Sequence, residues 1–308
     1  MRLSVVIPCL NAADTIGFQL EALANQDWAE PWEVIVSDNG STDKSRAIVE
    51  SYLGRLPHLR LVDSSDRQGA AHARNVGVLA SESESVLFTD ADDEVAENYV
   101  AVMGEALRKY DFVACRFDTV TLNERWQSES WANSQESDLI QFNPRFLPFG
   151  GGGSLGVKRR LHLAVGGFDT SISFRTGMED ADYCWRIQLA GTELKFVPET
   201  AIRYRYPKEY LAMYRQMRNL SEDAIHLYQQ YRPLGMPEMR VSWKSDVVGL
   251  KKLLFKLPRV RGKVNYAKWV RRFGWQVGRL RGSFKYRHQL SEPVQVQSDL
   301  PSWFGTSK

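Results

Sequence analysis

LSVVIPCLNAADT, Leu3 to Thr15, decides the architecture. Leu3–Pro8 is a short apolar run rich in Val and Ile that ends in turn-forming residues, the pattern of a strand buried on both faces. From Ala13 to Asn25 the apolar residues recur at helical spacing instead. The same exchange repeats outward. WEVIVSD (Trp32–Asp38), LRLVD (Leu59–Asp63) and SVLFTD (Ser85–Asp90) read as strands, and Lys44–Leu53 and Ala70–Ala80 read as the helices between them. Alternation of this kind implies right-handed crossovers, so the expected fold class is α/β: a mainly parallel sheet with helices on both faces. Ligands of such sheets sit beyond the carboxyl ends of the strands. A further helix is expected over Glu97–Lys109 and a strand over Phe112–Thr121.

The chain has 308 residues, 43% hydrophobic and 25% charged, enough for one large or two modest domains with a substantial core. This excludes a disordered, collagen-like or disulfide-stapled protein. Cys9, Cys115 and Cys184 are widely separated and form no CxxC pair, which fits a reducing compartment, hence a cytoplasmic location, and no structural zinc. Leu3 follows no signal-peptide pattern, and no apolar run reaches the roughly 18 residues that span a bilayer, so any membrane contact is expected to be peripheral. The net charge of +3 conceals a strong segregation, because Arg240 to Arg287 holds fifteen Lys or Arg and a single acid, Asp246.

Residues 122–150 lose periodicity and carry Trp126, Trp131, Phe142, Phe146 and Phe149; they are expected to form a binding wall or lid. GGGGSLG (Gly150–Gly156) and GGFD (Gly166–Asp169) follow. A helix over Glu179–Ala190 stops at Gly191, and a long one covers Glu209–Tyr231.

The strongest chemical signal is FTDADDE, Phe88 to Glu94. In extended backbone, residues two apart point the same way, so Asp90 and Asp92 can offer two carboxylates to one hard cation that also holds a diphosphate. The plainer use of such acids is a turn capping the next helix. IPCLNAADT occupies the place of a dinucleotide-binding GxGxxG but contains none, and the chain has no GxxxxGK[ST] loop. Asn11 there can hold a nucleotide or cap a turn. In VSDNGSTD, Thr42 or Asp43 suits a helix cap, whereas Asp38 ends a buried strand where a carboxylate can accept from a base or ribose. Glu179 and Asp180 open a helix, where acids also favour the dipole. Arg74, in a helix following Gln68 and Gly69, can meet an anion or pair with a neighbouring acid. Arg186 lies four residues after Asp182 and is expected to form a helix ion pair.

IPCLNAADT, VSDNGSTD, GAAHARNVG (Gly69–Gly77), FTDADDE, GGFD and MEDADYCWRIQLAG (Met178–Gly191) resemble, in order and spacing, the motifs of family-2 glycosyltransferases, over residues 3–205. The resemblance implies a GT-A type, Rossmann-like fold and an inverting reaction. It places Pro8, Cys9, Asn11, Asp38, Asn39, Arg74 and Asp90 around the nucleotide, and Asp92 with Asp90 on Mn²⁺ or Mg²⁺. Asp180, beside Glu179, is implied as the catalytic base. GGGGSLG then serves as a turn that lets backbone approach the donor sugar. Two departures stand out. Asn39 replaces a second acid, and AIRYRYP offers Arg203, Tyr204 and Arg205 where many members place a His ligand, so Arg205 is left to offset diphosphate charge.

Two uses remain open for LKKLLFKLPRVRGK (Leu250–Lys263) and YAKWVRRFGWQVGRLRG (Tyr266–Gly282). Such helices can lie in an anionic bilayer interface or pack on the catalytic part with a solvated basic face. The expected organisation is a catalytic domain over 1–206, with a nucleotide-sugar half to about 120 and an acceptor half from about 121, followed by a helical basic extension over 207–308. The expected activity is metal-assisted transfer of a sugar from a nucleotide-diphosphate sugar, by default a UDP-sugar, to a hydroxyl of a glycan, polysaccharide or lipid-linked saccharide. An anionic membrane surface is the further partner considered, through residues 240–287, and no nucleic acid is expected. The alternatives are a sugar-phosphate nucleotidyltransferase and an inactive nucleotide- or glycan-binding relative.

Overall fold

The computed structural model describes residues 2–56, 58–131, 135–170, 177–237 and 243–286. Arg240 and Arg287, parts of the acceptor half and the last residues of the basic extension therefore lie outside the described residues. The amino-terminal alternation consists of β1 (Leu3–Cys9), α1 (Ile16–Ala24), β2 (Trp32–Asp38), α2 (Ser45–Ser51), β3 (Arg60–Asp63), α3 (Ala70–Ala80) and β4 (Ser85–Phe88). Next come β5 (Glu94–Val95), α4 (Tyr99–Lys109), β6 (Phe112–Asp118), α5 (Arg125–Ser130), β7 (Leu155–Lys158), α6 (Arg159–Ala164), α7 (Glu179–Leu189) and β8 (Lys195–Arg203). Three long helices follow: α8 (Tyr210–Tyr231), α9 (Trp243–Lys256) and α10 (Lys263–Lys285).

Eight strands form one sheet in the order β3-β2-β1-β4-β7-β6-β8-β5. β1 lies between β2 and β4, parallel to both, with Val5 opposite Val34 and Leu87. Its side chains alternate between two cores, Val6 facing one and Val5 and Ile7 the other. Burial on both faces explains why the strand reads as an unbroken apolar run. The sheet is mixed with parallel pairings in the majority: β3, β2, β1 and β4 run parallel, as do β6 and β8, while β7 runs antiparallel to β4 and β6, and β5 antiparallel to β8. Between β6 and β7 the only α-helix among the described residues is the short α5, in place of the long crossover helix usual between parallel strands.

The aromatic segment also departs from expectation. Phe142, Phe146 and Phe149 surround the fully buried Trp185 of α7, at ring separations of 6.1, 5.0 and 6.2 Å, so they belong to the core instead of a ligand wall. Trp131 is different, stacking on Tyr206 at 4.5 Å with planes 6° apart.

Of the two uses open to the basic helices, α10 takes the packed one. Ala267, Val270, Gly274, Gly278 and Gly282 are its buried residues, and they lie against α8. A Cβ on Gly274 would stand 2.6 Å from the Tyr214 carbonyl, so side-chain-free positions four apart let the helix backbones approach closely. Ionic ties complete the contact, with Arg281 and Lys285 on Glu222 of α8 at 2.9 and 3.0 Å and Arg279 on Asp246 of α9 at 2.8 Å.

Candidate active site

β1, β2, β4 and β8 all end at the same edge of the sheet, and their carboxyl ends frame a cleft of about 890 Å³. Pro8, Cys9 and Asn11 line it after β1, Asp90 and Asp92 after β4, and Tyr204, Arg205 and Tyr206 after β8. α3 adds Arg74, and the segment entering α8 adds Lys208. A volume of this size suits a nucleotide-sized ligand.

Arg74 organises the centre. Its buried guanidinium donates from Nη2 to Asp90 Oδ1 at 2.7 Å and from Nη1 to Glu179 Oε1 at 3.3 Å. Burial disfavours the cation, but the two carboxylates outweigh it and hold Arg74 above its ordinary value. Both roles open to Arg74 in the sequence thus narrow to one contact set, with acids from two distant stretches. Gly152 and Gly153 make room beneath it. A Cβ on Gly153 would meet Asp90 Oδ2 at 2.7 Å, so the glycine-rich turn admits the Arg74–Asp90 pair itself.

The acids of FTDADDE part company. Asp93 is buried and accepts from the Arg205 backbone N–H at 2.8 Å, while burial and the neighbouring Asp92 and Asp90 raise its carboxyl well above the usual range. Asp92 is exposed at the cleft, where the enclosing walls first and the charge of Asp90 second raise its carboxyl above the usual range. Arg205 donates from Nε to the Asp92 carbonyl at 2.9 Å and pairs with Glu94 at 2.9 Å. The Arg205 cation is therefore at the cleft but already engaged.

Asp180 stands with Glu179 beyond Arg74 and is not among the cleft-lining residues. It accepts from the backbone N–H of Ala181 at 2.7 Å and of Gly152. Burial first, and Glu179 second, push its carboxyl up to about 8. Asp182 and Arg186, in contrast, form the expected i,i+4 pair at 2.7 Å, buried and capped by the Tyr231 hydroxyl donating to Asp182 at 2.8 Å.

Three sequence-predicted nucleotide residues have structural partners. Asp38 is buried, binds Arg46 at 2.8 Å, accepts from the Ser41 N–H and does not line the cleft. Asn39 donates to the carbonyls of Ser64 and Arg67 at 2.5 and 2.8 Å and accepts from the Gly69 N–H at 2.7 Å, tying β2 to the start of α3. Asn11 adopts φ +50° and accepts from the Thr42 N–H at 2.9 Å, a conformation Asn tolerates better than most residues. Burial and Asp38 push the Cys9 thiol up to about 11.

Sequence reasoning missed Tyr206, Lys208 and Gln216 in the cleft wall, because nothing in a helical tail marks the residues that fold back on a sheet edge. It also missed Gln19. That buried amide donates to Thr89 and accepts from the Val95 N–H at 3.0 Å, bracing the acidic turn from below.

The model of the family described as Glycosyl transferase family 2 matches residues 4–165. The chain belongs to glycosyl transferase family 2. Among family relatives it is 31% identical to the uncharacterized glycosyltransferase YibD of Escherichia coli over 73% of this chain and 64% of that one, and 28% identical to the succinoglycan biosynthesis protein ExoA of Rhizobium meliloti over 66% and 63%. The match thus spans somewhat under two thirds of those relatives. The GT-A fold is shared with the mannosyltransferase PcManGT of Pyrobaculum calidifontis, solved with GDP-Man and Mn²⁺ (TM-score 0.57, 20% identity, 95% of this chain and 77% of that one). It is shared also with TarS 1-349 of Staphylococcus aureus, solved with UDP-GlcNAc (TM-score 0.53, 17% identity, 93% and 92%).

Among the described residues no group of three or more His, Cys, Asp or Glu side chains is placed to hold a metal. Asp92 and Asp90 nevertheless suit a shared cation. Both face the cleft, and the repulsion by which Asp90 raises the proton affinity of Asp92 is one that a divalent ion would relieve.

Proposed function

We propose that the protein is an inverting glycosyltransferase that takes a nucleotide-diphosphate sugar, by default a UDP-sugar, and transfers its sugar to a hydroxyl of a glycan, polysaccharide or lipid-linked saccharide. The observation that carries this reading is the Arg74 bridge, which joins the acidic turn after β4 to the acidic start of α7 at a nucleotide-sized cleft. Pro8, Cys9, Asn11 and Arg74 are assigned to the nucleotide side, with Asp90 shared between ribose and cation. Asp38 and Asn39 are assigned to the same side, where Asn39 lines the cleft and Arg46 and the start of α3 hold the two residues in place. Asp92 and Asp90 are the residues that would hold Mn²⁺ or Mg²⁺, which stabilises a departing nucleoside diphosphate when bound.

Asp180 is assigned the base role. Its raised affinity for a proton suits removal of the acceptor hydroxyl proton during attack on the anomeric carbon, and Glu179 keeps that affinity high by repulsion while Arg74 holds Glu179 in place. Residues 1–206 are taken as the catalytic part and 207–308 as the extension; the support is that β8 ends at Arg203 and that the elements following it among the described residues are all helical. No helix among the described residues is long and apolar enough to cross a membrane. Peripheral contact with an anionic membrane through residues 240–287 is part of the proposal, supported by the excess of cations there.

The test is a thermal-shift series with UDP, GDP, TDP and CMP sugars, with and without Mn²⁺, followed by product analysis. Stabilisation by one nucleotide sugar and release of free nucleoside diphosphate are expected. Release of pyrophosphate would establish the nucleotidyltransferase instead, and binding without any product in the presence of glycan acceptors would indicate an inactive relative.

A further inference from the structure

A second groove, of about 590 Å³, lies away from the cleft between α5, α9 and α10. Lys252, Lys256, Lys268, Arg271 and Arg272 line it against one acid, Glu129, whose carboxylate is already held by Arg125 at 2.6 Å. The ion pairs of α10 involve Arg279, Arg281 and Lys285, and no acidic partner is found among the described residues for the five groove cations. Val248, Leu254 and Phe255 stand exposed on α9, Phe255 to 77%. Lys252 is four residues from Val248 and three from Phe255, so those two exposed apolar side chains lie on the helix face that carries Lys252, whereas Leu254, two residues on, faces away.

The floor of the groove reaches the cleft. Arg271 lies 3.7 Å over the Trp131 ring and donates to the Ser130 carbonyl, Trp131 stacks on Tyr206, and Tyr206 lines the donor cleft. The two spaces share a wall made of stacked rings. Arg271 Nε and Trp131 Nε1 are buried donors without an acceptor. Burial, reinforced by Arg272, pushes Arg271 down to about 10, the reverse of what an anion would do.

We propose that this groove seats the phosphate of an anionic phospholipid headgroup, with Phe255 and Val248 entering the bilayer interface. The inference rests on the reading that residues 240–287 meet an anionic membrane and adds to it a defined seat. Cations alone would attract any polyanion; exposed aliphatic and aromatic side chains beside them favour a lipid surface, where apolar burial and headgroup attraction add. Seating there holds the donor cleft one layer of rings from the membrane surface, where an amphiphilic acceptor would be carried.

Flotation of the full-length protein with phosphatidylcholine vesicles, with and without phosphatidylglycerol, tests the proposal. Wild type is expected to float only with phosphatidylglycerol. Lys252→Glu/Lys256→Glu is expected to weaken binding by about tenfold or more, whereas Lys244→Glu/Arg259→Glu, the same charge change outside the groove, weakens it far less. Phe255→Ser weakens binding to an extent that added salt does not mask. Equal losses in the two charge-reversed variants would overturn the seat and leave diffuse attraction. Failure of wild type to float would overturn the membrane reading itself. Displacement by millimolar inorganic phosphate, or equally tight binding of a DNA duplex, would overturn the lipid assignment. Retained donor-induced thermal stabilisation in each variant establishes that the fold is intact.

Discussion

Arg74 and Arg271 are both guanidiniums pressed against neighbours, yet they keep opposite company. Arg74 is closed between Asp90 and Glu179, and its charge is neutralised inside the protein before any ligand arrives. Arg271 rests on a tryptophan face with Arg272 as its charged neighbour and no acid in contact. The first arrangement holds two distant acidic stretches in fixed register. The second holds a cation ready for something from outside. A buried charge that is paired organises structure, while one left among cations and rings keeps an uncompensated desolvation cost.

The comparison can be broken at several points. The largest effect is expected at the cleft: Asp180→Asn should lower kcat by about 10²- to 10⁴-fold while donor-induced thermal stabilisation persists. Undiminished turnover would remove Asp180 from the base role.

Arg74→Met should cost about 3–5 kcal/mol of unfolding free energy, because it strands two carboxylates. Arg271→Met strands none and should cost no more than about 2 kcal/mol. Denaturant titration of both variants reads the difference directly, and equal costs would erase the distinction between the two regions.

The proton affinity of Asp180 gives a third handle. A carboxyl raised to about 8 is mostly protonated below that pH and must lose its proton to act, so kcat/KM should climb with pH, reach half its maximum near 8 and level off above it. A profile flat from the acid side through neutrality would show that another group takes the proton. Smallest is the packing effect in the tail. Gly278→Ala, whose Cβ would press on the Arg218 carbonyl, should cost about 1–3 kcal/mol and lower the melting temperature without altering donor binding.

Much of the site was readable because its residues follow apolar strands. Asp90 and Asp92 announce themselves at the end of SVLF, and Glu179 and Asp180 at the start of a helix with clear periodicity. Asp93 shows the limit of that reading. It belongs to the same acidic run, but the chain turns at Ala91–Asp92, with the Asp93 N–H donating to the Asp90 carbonyl, and carries Asp93 inward to the Arg205 backbone instead of continuing the extended strand. Asp38 and Asn39 show another limit, since an acid or amide at a strand end serves equally to bind a ligand or to anchor a loop. Which it does depends on whether Arg46, or the loop carrying Ser64 and Arg67, comes close enough to use it first.

Local pattern alone determined the strands of the amino-terminal half, the crossovers between them and the edge at which acids gather, because burial on two faces and helical spacing are recorded residue by residue. The antiparallel entry of β7, the Arg74 bridge and the seating of α10 on α8 were decided only by tertiary structure. Each depends on which distant groups meet, and the free energy of such a meeting comes from partners that no single stretch of chain contains.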